Sequence, residues 1–213
     1  MHKNLLILLL FIIKLTQSNA QAHWKLSTDQ EGIKIYTSPV PGSKVKALKV
    51  ECEFNATPSQ FVAVLMDVRT AADWVYHTKS CTLVKQVSPS ELYYYSEISI
   101  PWPAQNRDFV AHLTVHQDPQ TNVVTVDGPS VPGFVPVKDG VVRIAHSSGQ
   151  WIIAPDGGNV KVTYILQVDP GGAIPAWLVN MFATEGPLQS FRKLKLQLKK
   201  QAYRNMDYAF VSQ

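Results

Sequence analysis

A chain of 213 residues that is 46% hydrophobic, 17% charged and 10% aromatic has the balance of a globular protein able to bury a sizeable core. Its formal charge of +4 is too small for a general nucleic-acid binder.

At the N-terminus Lys3 precedes an apolar run from Leu5 to Ile13, and Ser18-Asn19-Ala20 sets small residues at the −3 and −1 positions of a cleavage site after Ala20. Residues 1–20 therefore read as a signal peptide, and a periplasmic or secreted protein is expected. The run is nine residues long, too short to span a bilayer. Residues 21–213 read as one domain with 18 basic and 16 acidic side chains. Arg192, Lys193, Lys195, Lys199, Lys200 and Arg204 fall between Phe191 and Arg204 with no acid among them. Cys52 and Cys81 remain in the exported chain, where a disulfide is permitted; their spacing leaves pairing and free buried thiols both open.

From Gly32 onward, Ile33, Ile35 and Val45 to Phe54 alternate apolar and polar around Pro39-Val40-Pro41-Gly42, a β-hairpin signal. Thr57-Pro58-Ser59-Gln60 supplies a hydroxyl cap, a first-turn proline and a glutamine three residues on, a capping box opening a helix with Phe61, Val64, Leu65 and Val68 inward. A second helix start is read at Thr70, with Asp73, leading to Trp74. Seven β-branched and aromatic stretches follow as strands: 82–87, 92–100, 109–117, 122–127, 141–145, 151–154 and 160–168. Their short separations predict antiparallel pairing, with Asp156-Gly157-Gly158-Asn159 as a hairpin turn. A last helix is predicted from Ile174 to about Asn205, kinked or restarted at Gly186-Pro187 with Thr184 or Glu185 as the new cap. Leu188, Phe191, Leu194, Leu198 and Ala202 gather on one side of it and the basic residues on the other. A sheet with helices gathered at one face is an α+β architecture.

Catalytic motifs are poorly represented. Gly128-Pro129-Ser130-Val131-Pro132-Gly133 misses the nucleophile-elbow spacing. His112 and His116 on one strand stand ~13 Å apart, too far to share a metal. No metal, cofactor or nucleic-acid partner is expected, and a monomer is.

Pro101-Trp102-Pro103, Arg107-Asp108-Phe109-Val110, Gly140-Val141-Val142-Arg143 and Val168-Asp169-Pro170-Gly171-Gly172, followed by Ile174-Pro175-Ala176-Trp177, resemble a StAR-related lipid-transfer (START) domain in their order and spacing. The resemblance covers about Trp24 to Lys200. It implies a helix-grip fold, in which a curved antiparallel sheet wraps around a long C-terminal helix and encloses an apolar cavity. The implied function is binding of one lipid or other apolar small molecule for transport, sensing or presentation. The wider superfamily also contains cyclases and hydrolases, for which Tyr95, Glu97 and His112 are the acid–base candidates.

START domains often set a polar or charged group on the cavity wall, and Glu97 and Arg143 are the candidates here. Arg107 is expected either to bond loop carbonyls or a carboxylate such as Asp73, or to meet a ligand head group. Tyr93-Tyr94-Tyr95, Phe109, Trp151, Tyr164, Trp177 and Phe182 read as core or cavity wall, with Tyr95 the wall candidate of the three tyrosines and Ala111, Leu113 and Met181 beside them. Some family members carry arginine where this chain has Leu113, which implies a more apolar cavity. The apolar loop residues Val131, Phe134 and Val135 form either a fixed plug over the core or a mouth, and Gly186-Pro187 is the candidate hinge. Lys193, Lys195, Lys199 and Lys200 are candidates for contact with an anionic membrane.

Overall fold

The computed structural model describes residues 23–43, 45–172, 175, 178–179 and 181–212, with backbone alone at Met181. Ten strands form one sheet: β1 (Lys25–Gln30), β2 (Ile33–Ser38), β3 (Ala47–Phe54), β4 (Thr78–Ser88), β5 (Glu91–Ile98), β6 (Asn106–Gln117), β7 (Val124–Pro129), β8 (Val141–Arg143), β9 (His146–Asp156) and β10 (Asn159–Asp169). The spatial order is β1-β2-β3-β10-β9-β7-β6-β5-β4, with β8 beside the start of β6. Every pairing is antiparallel except β6 with β8, which corrects the expectation of an antiparallel pairing throughout. β8 returns after the long 130–140 loop, so no tight turn dictates its direction.

The tight turns follow local chemistry. Gly157 and Gly158 both have positive φ, as a two-residue hairpin turn requires. Helix α1 (Pro58–Met66) opens on Thr57 with both bonds of the predicted capping box, Gln60 N to Thr57 Oγ1 at 3.2 Å and Thr57 N to Gln60 Oε1 at 2.9 Å. A 3-10 turn (Val68–Thr70) leads into α2 (Ala71–Trp74). Thr70 is not its side-chain cap: the hydroxyl bonds Asp67 O and Tyr203 Oη instead.

The terminal helix departs from expectation at both ends. A π-helical turn (Met181–Glu185) runs directly into α3 (Gly186–Gln197), and Glu185 has helical φ and ψ with no side-chain cap bond. Pro187 has no N–H and its ring crowds the carbonyl four residues back, so the wider π register passes the proline without breaking the helix. At the other end the helix closes near Leu198, and Ala202 is exposed while Tyr203 turns into the core. Tyr203 Oη donates to Asp67 Oδ2 at 2.8 Å and accepts from Gln197 Nε2. From there the chain crosses α1 and buries Val211, and Ser212 N donates to Gln117 Oε1 at 2.7 Å.

α3 lies against the inner face of the sheet through Leu188, Phe191, Leu194 and Leu198. Phe191 stacks on Trp151 at 5.6 Å, and Phe54 meets Phe61 edge-on at 5.0 Å. The half of the molecule holding the β1–β2 and β9–β10 turns is packed solid around Ile33, Phe54, Phe61 and Val160. The opposite half is not.

Candidate functional site

Between the inner face of the sheet, α2 and the segment from Val179 to Phe191 lies a predominantly apolar cavity of about 260 Å³. It occupies the end where β5 finishes and β6 begins. Alternation along each strand decides what reaches it. On β6 the inward residues are Arg107, Phe109, Ala111 and Leu113, paired across β5 with Ile98, Ser96, Tyr94 and Leu92. Arg107, Phe109, Leu113, Trp151, Tyr164, Phe182, Gly186 and Pro187 line the cavity. Ala111 shares this face, fully buried opposite Tyr94, but its small side chain does not reach the wall. Trp177 and the side chain of Met181 lie outside the described residues.

Tyr95, Glu97 and Arg143 stand on the outer face, one residue out of step with the wall. Glu97 receives Lys79 Nζ at 2.7 Å and Asn106 Nδ2 at 2.9 Å, bonds that hold its carboxyl below the usual carboxylate range. Lys138 Nζ sits 4.3 Å from the Tyr95 ring centroid. Arg143 grips Asp108 through Nε and Nη2 at 2.7 and 3.1 Å. His112 also faces outward, bonded to Glu91 at 2.7 Å and stacked on Tyr93. None of the three acid–base candidates therefore lines the cavity.

The 130–140 loop packs on this same outer face. Val131 N donates to Val110 O, Phe134 stacks on Tyr93 with centroids 4.3 Å apart, and Arg143 Nη1 donates to Val135 O. Val131, Phe134 and Val135 thus cover the back of the sheet and are not the mouth. Ser130 Oγ donates to Ala145 O and accepts from Ser147 N, a loop tie and not a nucleophile.

Arg107 differs from every other charged group here. It is 3% exposed, lines the cavity, and among the described residues its one hydrogen-bond partner is the carbonyl of Gln105, reached by Nη1. Its Nε is buried without a partner, and burial lowers the pKa of the group. No carboxylate pairs with it among the described residues; Asp73 is held by Lys200 at 2.8 Å. A guanidinium offers five N–H donors in a planar fork suited to a carboxylate or phosphate.

Tyr94, one of the three tyrosines weighed as core or wall, lines the cavity, and so do Trp74, Cys81, Ser96 and Ile98, which were missed from the sequence. Both thiols are free, and burial pushes that of Cys81 up to about 12. The polar face of α3 is partly tied down: Arg192 pairs with Glu31, and Lys195 Nζ donates to Glu31 O at 2.8 Å. Lys193, Lys199 and Lys200 are exposed. Among the described residues no three His, Cys, Asp or Glu side chains gather as metal ligands would.

The START domain model matches residues 13–203. An uncharacterized protein of Pseudomonas aeruginosa is 33% identical over 184 residues, covering 83% of this chain and 87% of its own. The phosphatidylcholine transfer protein of Rattus norvegicus is 30% identical over 179 residues, covering 81% of each chain. The crystal structure of a STAR-related lipid transfer protein from Xanthomonas axonopodis superimposes with a TM-score of 0.77 at 36% identity, covering 83% of this chain and 99% of that one. A family match over nearly the whole length, on a curved antiparallel sheet closed by a C-terminal helix, makes this chain a member of the START domain family.

Proposed function

We propose that this chain carries one lipid with a phosphate-bearing head group, its hydrocarbon in the aromatic-lined cavity and its head group on Arg107, and moves it between membranes outside the cytoplasm. The observation that carries the reading is a buried guanidinium with no carboxylate partner among the described residues, in an otherwise apolar cavity, which an anionic ligand group would complete. The phosphatidylcholine transfer protein among its relatives points to the same ligand chemistry. At about 260 Å³ the cavity falls just below the ~300–1,000 Å³ of ligand pockets, so loading requires the wall at Phe182, Gly186 and Pro187 to move outward. The π turn lies within that wall, where the helix is most easily re-registered. Residues 1–20 carry the proposal of export.

Native mass spectrometry of protein purified from its own host tests both parts. The expected spectrum shows a chain beginning at Gln21 with one phosphate-bearing lipid. A chain with Met1 intact would overturn export, and an empty compact protein or a lipid without an anionic group would overturn the ligand assignment.

Delivery needs the cavity end to meet a membrane, and that end presents Trp102, 91% exposed, in the turn before Arg107. Val137 is 71% exposed on the loop leading into β8, which pairs with the start of β6, with Lys79 and Lys138 nearby. An amphipathic indole favours the bilayer interface. Replacing Trp102 by alanine should slow lipid transfer between neutral vesicles roughly tenfold, the equivalent of ~1.4 kcal/mol, with equilibrium lipid binding unchanged. Changing Lys193, Lys195, Lys199 and Lys200 to glutamine should instead slow transfer only between anionic vesicles, with the effect vanishing at high salt. Parental rates for the Trp102 variant would remove the turn from the docking surface.

A further inference from the structure

Three tyrosines line the cavity, Tyr76 after α2, Tyr94 on β5 and Tyr164 on β10, and none of their hydroxyls has a hydrogen-bond partner among the described residues; Tyr94 and Tyr164 are the two that stand on the sheet. Both side chains are half-buried where they meet the cavity, and removal from water drives both pKa values upward, so each remains a neutral O–H donor. The two are close enough that ionised Tyr164 would repel ionised Tyr94 across the cavity, although four strand steps separate them in the sheet. Tyr164 Oη lies beside Gly149, where a Cβ would stand in ordinary contact with it at 3.5 Å. Around them the wall is hydrocarbon and aromatic, supplied by Phe109, Leu113, Trp151 and Leu166.

Both side chains open onto the cavity among apolar neighbours, where a hydroxyl gains from a ligand acceptor and the same side chain without oxygen would pack equally well. We infer that Tyr94 and Tyr164 form a second polar station for the ligand, donating hydrogen bonds to carbonyl oxygens of ester-linked acyl chains. Tyr94 lies opposite Ala111, four residues beyond Arg107, which sets the two backbones ~13 Å apart along the strand. The second station therefore meets the ligand behind its head group. An aliphatic chain offers no acceptor there, an ether oxygen a weak one, and an ester carbonyl a strong one. This inference rests on the proposal that the cavity holds a phosphate-bearing lipid, and it narrows that ligand to acyl esters.

The test is competition read by native mass spectrometry, with the chain offered an equimolar mixture of dipalmitoyl phosphatidylcholine and its dihexadecyl diether counterpart. Head group and chain length are then matched, and only the carbonyls differ. The parent should load the diester in roughly five- to tenfold excess, as one or two net hydrogen bonds imply. In the Tyr94→Phe/Tyr164→Phe variant the excess should disappear through loss of diester affinity, with diether binding unchanged. Since the hydroxyls bond none of the described residues, the empty variant should melt with the parent, which separates this outcome from damage to the fold. Equal loading of the two lipids by the parent, or a preference that survives in the variant, would overturn the inference and leave the lipid reading standing. Loading of neither lipid would overturn both.

Discussion

Arg107→Met should empty the cavity of phosphate-bearing lipid and leave the fold intact or firmer. Methionine is unbranched and fills much of the space of the arginine stem without a charge. Hydrogen bonds to a charged group contribute about 1.5–3 kcal/mol each, so the variant should hold the lipid at least tenfold, and up to about 150-fold, more weakly. The empty protein should respond in the opposite sense. Arg107 is 3% exposed with an orphaned Nε, so the parent carries a desolvation penalty that only a ligand relieves. Removing that penalty should raise stability by roughly 1–3 kcal/mol, a gain of about 2–4 °C in Tm per kcal/mol for a chain of this size. Arg107→Lys keeps the charge but loses the fork, so its affinity should fall between the two. A folded Arg107→Met that retains the lipid would put the head group elsewhere. A variant that melts well below the parent would assign Arg107 to holding the Gln105 carbonyl.

Local chemistry made much of the fold legible. The capping box at Thr57, the glycine pair at the β9–β10 turn and the alternation along β6 each depend on neighbours in sequence, so residue order alone carried them. Parity in β5 was another matter. Tyr93, Tyr94 and Tyr95 are equally aromatic, and nothing local says which of them turns inward. Choosing Tyr95 carried Glu97 with it, two residues on and on the same face. Register against β6 settles the question, because Arg107 pairs with Ile98 and so aligns the even residues of β5 with the cavity. The long 130–140 loop was ambiguous for a similar reason: its apolar residues demanded cover, but only the Arg143–Asp108 pair and the Phe134–Tyr93 stack determine which face they cover. Arg143 and Arg107 look alike in the sequence, and the difference between a clamp and a ligand group is one step of strand parity.

The outer clamp should be the most sensitive point of the fold away from its core. Asp108 is 1% exposed and takes both Nε and Nη2 of Arg143, whose remaining donors hold the carbonyls of Val135 and Pro136. Asp108→Asn keeps the shape but removes the charge, leaving a mostly buried guanidinium without its counterion. Breaking one side of such a pair costs about 3–5 kcal/mol. At roughly 2–4 °C per kcal/mol, Tm should fall by about 10 °C. The loss should be local before it is global. Amide exchange should accelerate first from Val131 to Val141, where the clamp holds the loop against Tyr93 and Tyr95, while α1 with its own capping box stays protected. Lipid affinity at low temperature should be nearly that of the parent, since no cavity-lining side chain changes. Removing the partner as well, in Asp108→Asn/Arg143→Met, should restore most of the lost stability, because a neutral pair leaves no uncompensated charge. An Asp108→Asn protein within about 1 kcal/mol of the parent would mean that solvent already screens the pair, and the loop would then be held chiefly by the stacking of Phe134 on Tyr93.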